Sequence, residues 1–236
     1  MRHTSRLIVA IVLCCGPALA GCESERKSTA AGQPSEQQVL VDKARVTVEE
    51  LRADRVVGPA VNSALQTARG VLVFPDLVQA GFFVGAGAGT GTLLGRTAPG
   101  GGWSDPAFYL AAEGSFGLQI GAEAGRVMFV IRNDGALTKI VSGGAVNLGA
   151  DVSLAVGPVG AGAAAATTPA VGADLLAYSV QAGLFGGVAL RGGVITPRTG
   201  WNEAYYGPGA TPRVIVTENR FHNPGAAGLK QALAPR

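Results

Sequence analysis

The chain has 236 residues, with 19 Lys plus Arg against 16 Asp plus Glu, so it lacks the basic excess of a nucleic-acid binder. Three cysteines are too few for a disulfide scaffold of this length. With 36 glycines and only 6% aromatic residues, its core must come from Val, Leu, Ile and Ala on closely packed backbones.

The N-terminus reads as an address. Arg2 and Arg6 form a basic start, Leu7 to Cys15 an apolar run, and Leu19-Ala20-Gly21-Cys22 resembles a bacterial lipobox. Residues 1–21 are then a lipoprotein signal peptide, and Cys22 is the first mature residue, with lipid (palmitate among its chains) on sulfur and amino group. An ordinary secretory signal ending near a Cys is the alternative. The apolar run is too short to span a bilayer, which takes about 20 residues. Loss of Arg2 and Arg6 brings the formal charge from +3 to near +1. Cys14 and Cys15 leave with the signal and Cys22 is spent on lipid, so no thiol or disulfide chemistry remains.

Residues 22–34 are polar and aperiodic, a flexible tether. Residues 35–236 form a single domain: 35–69 helical, 70–197 a β-rich core, 198–236 a helical or irregular tail. Ser35 and Gln38 fit a capping box, and Leu40, Ala44, Val48 and Leu51 recur at helical spacing. Lys43, Arg45, Arg52 and Arg55 surround that stripe and are the candidate lipid-binding residues, since a basic amphipathic helix can lie on an anionic membrane. On an ordinary surface helix the same charges are merely solvated, with Glu49, Glu50 and Asp54 offsetting them. A shorter helix over 59–68 follows.

Gly70 to Phe74 reads as a buried strand ended by Pro75-Asp76, and 77–80 as a turn or helical connection. In the strand Gly81 to Gly95, Gly85, Gly87, Gly89 and Gly91 share a parity and leave one face bare for another element to pack against. A phosphate loop would need a helix opening at these glycines, whereas the alternation continues through Thr90 and Thr92. Residues 107–112, 116–123 and 126–132 read as three strands, and Asn133 as the cap of a short helix over 136–141. The stretch Ser142 to Leu190, charged only at Asp151 and Asp174, is expected to supply the central strands: 146–156 with strict alternation, then 173–181 and 184–196. Thr199 can cap a helical turn, Pro212 suits a first turn, and Asn223-Pro224 can start a last helix. The fold class is α+β and mainly β, an antiparallel sheet or closed β body with amphipathic helices before it and short ones after it.

Catalytic groups are scarce. His222 is the one histidine after the signal, so neither a zinc site nor a Cys-His pair can be assembled, and no metal or cofactor is implied. A carboxylate pair could be drawn from Asp105, Glu113, Glu123, Asp151 and Asp174. Asp151 and Asp174 stand out in uncharged strands, where they face solvent, pair with Arg126 or Arg191, or bind a cation. The chain is expected not to be an enzyme.

Several stretches together resemble the SYLF domain, a lipid-binding module. They are Ala68 to Pro75, Gln79 to Phe82, Gly114 to Ala122, Val146 to Gly160, Ala177 to Ser179, Gly183 to Leu190 and Asn202 to Gly207. The resemblance implies a mostly β body with helical elements at its ends. It also implies membrane association; eukaryotic members bind phosphoinositides, and some bind actin filaments. The expectation is a lipid-anchored protein of the bacterial cell envelope, on the periplasmic side and at the outer membrane, that binds anionic phospholipid. The alternative is a structural or adaptor lipoprotein that holds an envelope protein partner through an apolar groove or sheet edge. A nucleic-acid partner is not expected.

Overall fold

The computed structural model describes residues 34–82, 84–98, 101–116, 121–157, 172–180 and 192–235. The signal, Cys22, nearly all of the tether, Arg191 and residues 158–171 and 181–190 lie outside them. Two helices open the domain, α1 (Glu36–Ala53) and α2 (Gly58–Thr67). Four long strands follow: β1 (Gly70–Phe82), β2 (Val84–Gly95), β3 (Ala107–Phe116) and β4 (Gly121–Ile131). After α3 (Asp134–Val141) come four short ones, β5 (Val146–Asn147), β6 (Leu154–Val156), β7 (Leu175–Tyr178) and β8 (Val194–Pro197). The chain ends through α4 (Thr199–Tyr206), a π-helical turn (Arg213–Thr217), a 3-10 turn (Pro224–Ala226) and α5 (Ala227–Leu233).

All eight strands join one sheet in the order β5-β8-β3-β2-β1-β4-β7-β6. Every pair is antiparallel except β6–β7, so the sheet is mixed. The class is α+β and mainly β, as the sequence implies. Its centre, however, is β1 to β4, not the stretch after Ser142. There the alternation from Val146 to Val156 is broken into two short strands at opposite edges of the sheet. Gly149 takes φ +95°, and the Asp151 carboxylate accepts from the Asn147 amide at 2.7 Å, closing a turn between them. Burial nevertheless follows the alternation at Val146, Leu148, Val152 and Leu154. Six residues separate β5 from β6, a reach of at most about 25 Å. The two edges must therefore approach, and the sheet curls around the apolar cluster that Leu148 and Val152 help to close.

Two other expectations are corrected. Pro75-Asp76 does not end a strand. β1 runs through it to Phe82 as a bulge, with register shifts towards both β2 and β4. A bulge frees one residue from the ladder, which is where a proline without an N–H is tolerated. The extra residue also sets both Phe74 and Leu77 on the inner face. Likewise, residues 107–132 make two long strands and not three.

The sheet has two apolar layers. Inside the curl lie Leu72, Phe74, Leu77, Leu93, Tyr109, Phe129 and Ile131, capped by Ile140 of α3 and by Ile215 and Val216 of the π turn. Outside, α1, α2 and α5 cover Val71, Val73, Leu94, Phe108, Met128 and Val130. The bare glycine face of β2 points inward, as a packing surface. A Cβ on Gly91 would come within 2.6 Å of the Phe74 ring, and one on Gly89 within 3.0 Å of Leu77 Cδ1. Gly91→Ala is therefore expected to destabilise the domain by about 1–3 kcal/mol through overpacking. Gly102→Ala, with nothing within 4 Å, should leave a urea melt nearly unchanged.

Candidate functional site

Ser35 caps α1 by accepting from the Gln38 amide at 3.2 Å, but the Gln38 side chain does not close the box. It donates to the Gly225 carbonyl at 3.1 Å and accepts from the Tyr205 hydroxyl at 2.7 Å, tying the helix start to the C-terminal segment. The buried stripe is Leu40, Val41, Ala44, Thr47, Val48, Leu51 and Arg52.

The four candidate cations do not form one patch. Lys43 donates to Asp76 of β1 at 2.7 Å, both half exposed. Arg45 lies about half a turn round the helix from Lys43, pairs with Glu49 at 2.9 Å and sits against Gly228 of α5. Arg55 is exposed in the turn that leads to α2. Arg52 corrects the expectation outright, because it is only 5% exposed. Its Nε donates to Asn62 Oδ1 at 2.7 Å, and one terminal nitrogen donates to the Ala234 carbonyl at 2.9 Å and to that of Ala232. Helical repetition puts Arg52 on the side of Arg45, where α5 packs, so its charge meets the carbonyl end of that helix.

A second arginine shares the cleft. Arg96 lines it with Arg52, Asn62, Leu65, Gln66 and Leu233. Its guanidinium donates to the Leu65 and Gly101 carbonyls at 2.6 and 2.9 Å and stacks 4.2 Å from the Trp103 ring centre. Trp103 in turn donates to the Leu233 carbonyl at 3.0 Å. Burial lowers the Arg96 pKa. Sequence reasoning passed over Arg96; its one signal is a cation ending an uncharged strand shortly before a tryptophan.

Of the candidate carboxylates, Asp105, Asp151 and Asp174 prove to be structural ties, while the side chains of Glu113 and Glu123 lie outside those described. Asp105, fully buried, accepts from Lys230 at 2.8 Å and from the Asn223 amide at 2.9 Å, with His222 Nδ1 at 3.3 Å. His222 itself is largely exposed. Burial, and then the Asp105 charge, push the Tyr205 hydroxyl up to about 12. Asp151 closes the turn from Asn147. Asp174 accepts from Asn133 Nδ2 at 2.7 Å with one oxygen, and from the Ser153 amide and hydroxyl at 2.8 and 2.7 Å with the other. Asn147 holds Asp151, and Asn133 and then Ser153 hold Asp174, below the usual carboxylate range. Arg126 pairs with Glu50 at 3.0 Å. Among the described residues, no cluster of three His, Cys, Asp or Glu could hold a metal, and no helix is long and apolar enough to cross a membrane. The apolar cleft between Phe74, Leu77, Phe129, Leu148 and Val194 is nearly filled, with about 10 Å³ left, roughly room for one water.

The described polar groups of the cleft and of the carboxylates above serve as ties within the fold. Residues 112–235 match the family model described as "Ysc84: Las17-binding protein actin regulator". The chain belongs to the Ysc84 family. Its SYLF-like stretches are that family's domain. Protein YSC84 of Saccharomyces cerevisiae is 31% identical over 186 residues, 78% of this chain and 39% of that protein. LAS seventeen-binding protein 3 of the same species is 32% identical over 186 residues, with the same coverage. SH3 domain-containing YSC84-like protein 1 of Xenopus laevis is 31% identical over 154 residues, 65% of this chain and 44% of that protein. The chain thus spans about two fifths of the length of these relatives.

Two measurements separate ties from surface charges. Arg52→Ala should cost about 2–3 kcal/mol in urea unfolding, because it leaves buried carbonyls unpaired. Lys43→Ala should change it by less than about 1 kcal/mol, as exposed ion pairs do. A carboxylate whose folded pKa is lowered lends stability above its unfolded value, near 4, and loses it as the pH falls through the folded one. Asp174→Asn should therefore lower stability at neutral pH and flatten the loss below about pH 4.

Proposed function

We propose that this Ysc84-family chain is a non-catalytic module of the bacterial cell envelope, held by lipid on Cys22 at the periplasmic side of the outer membrane, where it binds a membrane surface rich in anionic lipid. The observation that carries this reading is the N-terminal order of parts. A lipobox and a polar tether of about a dozen residues lead directly into α1, whose outward side shows Val39, Lys43 and Val46. Of the four candidate cations, Lys43 and Arg55 remain the ones able to meet phosphate headgroups. Lys43 does so in competition with Asp76, so electrostatic attraction supplies only part of the affinity.

A second reading, an adaptor that binds an envelope protein, draws support from the family description and from the yeast relative's name, both of which speak of Las17 binding. What carries over from those proteins is a protein-binding role; Las17 and actin belong to relatives that extend well beyond this domain.

Flotation of the Cys22→Ser chain with vesicles of graded anionic content tests the first reading, because any binding then comes from the protein itself. Binding should rise with anionic content, weaken with salt, and fall in Lys43→Glu/Arg55→Glu. Failure to float at every composition would leave Cys22 as the membrane contact and put the adaptor reading first.

A further inference from the structure

The cover on the outside of the sheet stops abruptly. On that face Val71, Val73, Thr92, Leu94, Phe108, Met128 and Val130 are sealed. The next row, Asp76-Thr90-Leu110, lies at the edge of the helical layer. Asp76 is more than half exposed there and Leu110 is 38% exposed. One row on, Val78 pairs with Ala88, and Ala88 with Ala112; Val78 is 48% exposed, and Ala88 and Ala112 are open as well. The ladder goes on in register with Ala124 opposite Val78, then Ala80 opposite Ala86 and Ala122. Every one of these positions beyond Asp76 is uncharged.

Helix α1 borders the apolar side. Lys43 reaches Asp76 of β1 and Glu50 reaches Arg126 of β4, so the stripe Val39-Lys43-Val46-Glu50 faces the open rows. Val39 and Val46, 39% and 38% exposed, are two more of the few large apolar side chains left open among the described residues. The charges on this border pair with one another across the helix and sheet, so the face as a whole offers a charged partner little.

We infer that this face, formed by Val78, Leu110, Ala88 and Ala112 with Val39 and Val46 at its edge, is a membrane-contact surface that dips into the interfacial zone of a lipid bilayer. The inference rests on the membrane reading above and deepens it. Three observations favour lipid as the occupant. The face is built from Ala, Val and one Leu, and among the described residues it has no deep pocket to seat a partner's anchor residue, as a protein hot spot requires. The charges at its border, Lys43 with Asp76 and Glu50 with Arg126, pair within the chain and leave the open positions beside them apolar. The chain between Cys22 and Ser35, about a dozen residues and so at most about 40 Å of reach, ends four residues before Val39. That reach is enough for an acylated Cys22 and this face to meet the same bilayer.

The test uses the Cys22→Ser chain and vesicles of phosphatidylglycerol and phosphatidylethanolamine. Wild-type protein should keep a fraction of its binding at high salt, because apolar insertion is not screened. Val78→Asp/Leu110→Asp should lower the vesicle partition coefficient about tenfold or more. Val78→Thr/Leu110→Thr, which keeps residues suited to a strand, should lower it less and in the same direction, with an unchanged thermal midpoint. Lipids brominated on their acyl chains should quench the emission of Val78→Trp more than that of wild type, whose Trp103 and Trp201 give the background.

Absence of wild-type binding to any vesicle would overturn the membrane reading, and this inference with it. Binding that both double variants leave intact, or that salt abolishes completely, would overturn the inference alone and leave the electrostatic reading standing. A wild-type dimer that the Val78/Leu110 variants dissociate, with vesicle binding unaltered, would also overturn it by assigning the face to a second copy of the chain.

Discussion

The curl of the sheet depends on one strand having almost no side chains on its inner surface. Gly89 and Gly91 let the Leu77 and Phe74 side chains of the neighbouring strand lie where a Cβ would stand, and Gly95 does the same for Val216. With that space filled from the side, β2 can sit at the middle of a tightly bent sheet without voids. The bend brings β5 and β6, at opposite ends of the strand order, within reach of one six-residue turn. The cost of so much glycine is offset by interdigitation, and the inner cluster needs few aromatic residues to close.

Outside the curl, stability comes from a different source. Three buried polar groups at the helical layer reach the last fifteen residues of the chain. Arg52 meets the carbonyl end of α5, Trp103 meets Leu233, and Asp105 meets Lys230 and Asn223. Buried ionic groups of this kind add less net stability than their geometry implies, but removing one partner is costly. They fix where α5 lies, and so which part of the sheet is covered and which is left open.

Much of this was legible in the sequence, and the failures have physical causes. The Ser35, Asn133 and Asn223 caps were readable because each is a local side chain to backbone bond. So was the bare glycine face, a period-two pattern. The continuation of β1 through Pro75-Asp76 was not, since proline marks a turn or a bulge equally and only the partners on both sides decide. The alternation from Val146 to Val156 named Val146, Leu148, Val152, Leu154 and Val156 as inward but failed at exposed Ala150 and buried Ala155, and it misnamed the structure, because a curled core can be closed by a turn that alternates like a strand. Arg52 was placed with the lipid-facing cations because charge and helical periodicity say nothing about a helix that arrives 180 residues later in the chain. Asp151 and Asp174 looked unexplained for the same reason in miniature: their donors, Asn147, Asn133 and Ser153, become neighbours only once the turns exist.

The distance along the chain between Arg52 and its carbonyl partners also sets an order of assembly. The ties to α5 span 182 residues from Arg52 and 125 from Asp105. A chain that is delivered N-terminus first, from a ribosome or through a pore, can pair β2 with β1 and β3 long before these partners exist. Helix α1 must wait with its apolar stripe unsealed until the last dozen residues arrive. Among the described helices, the first made is the last to be locked.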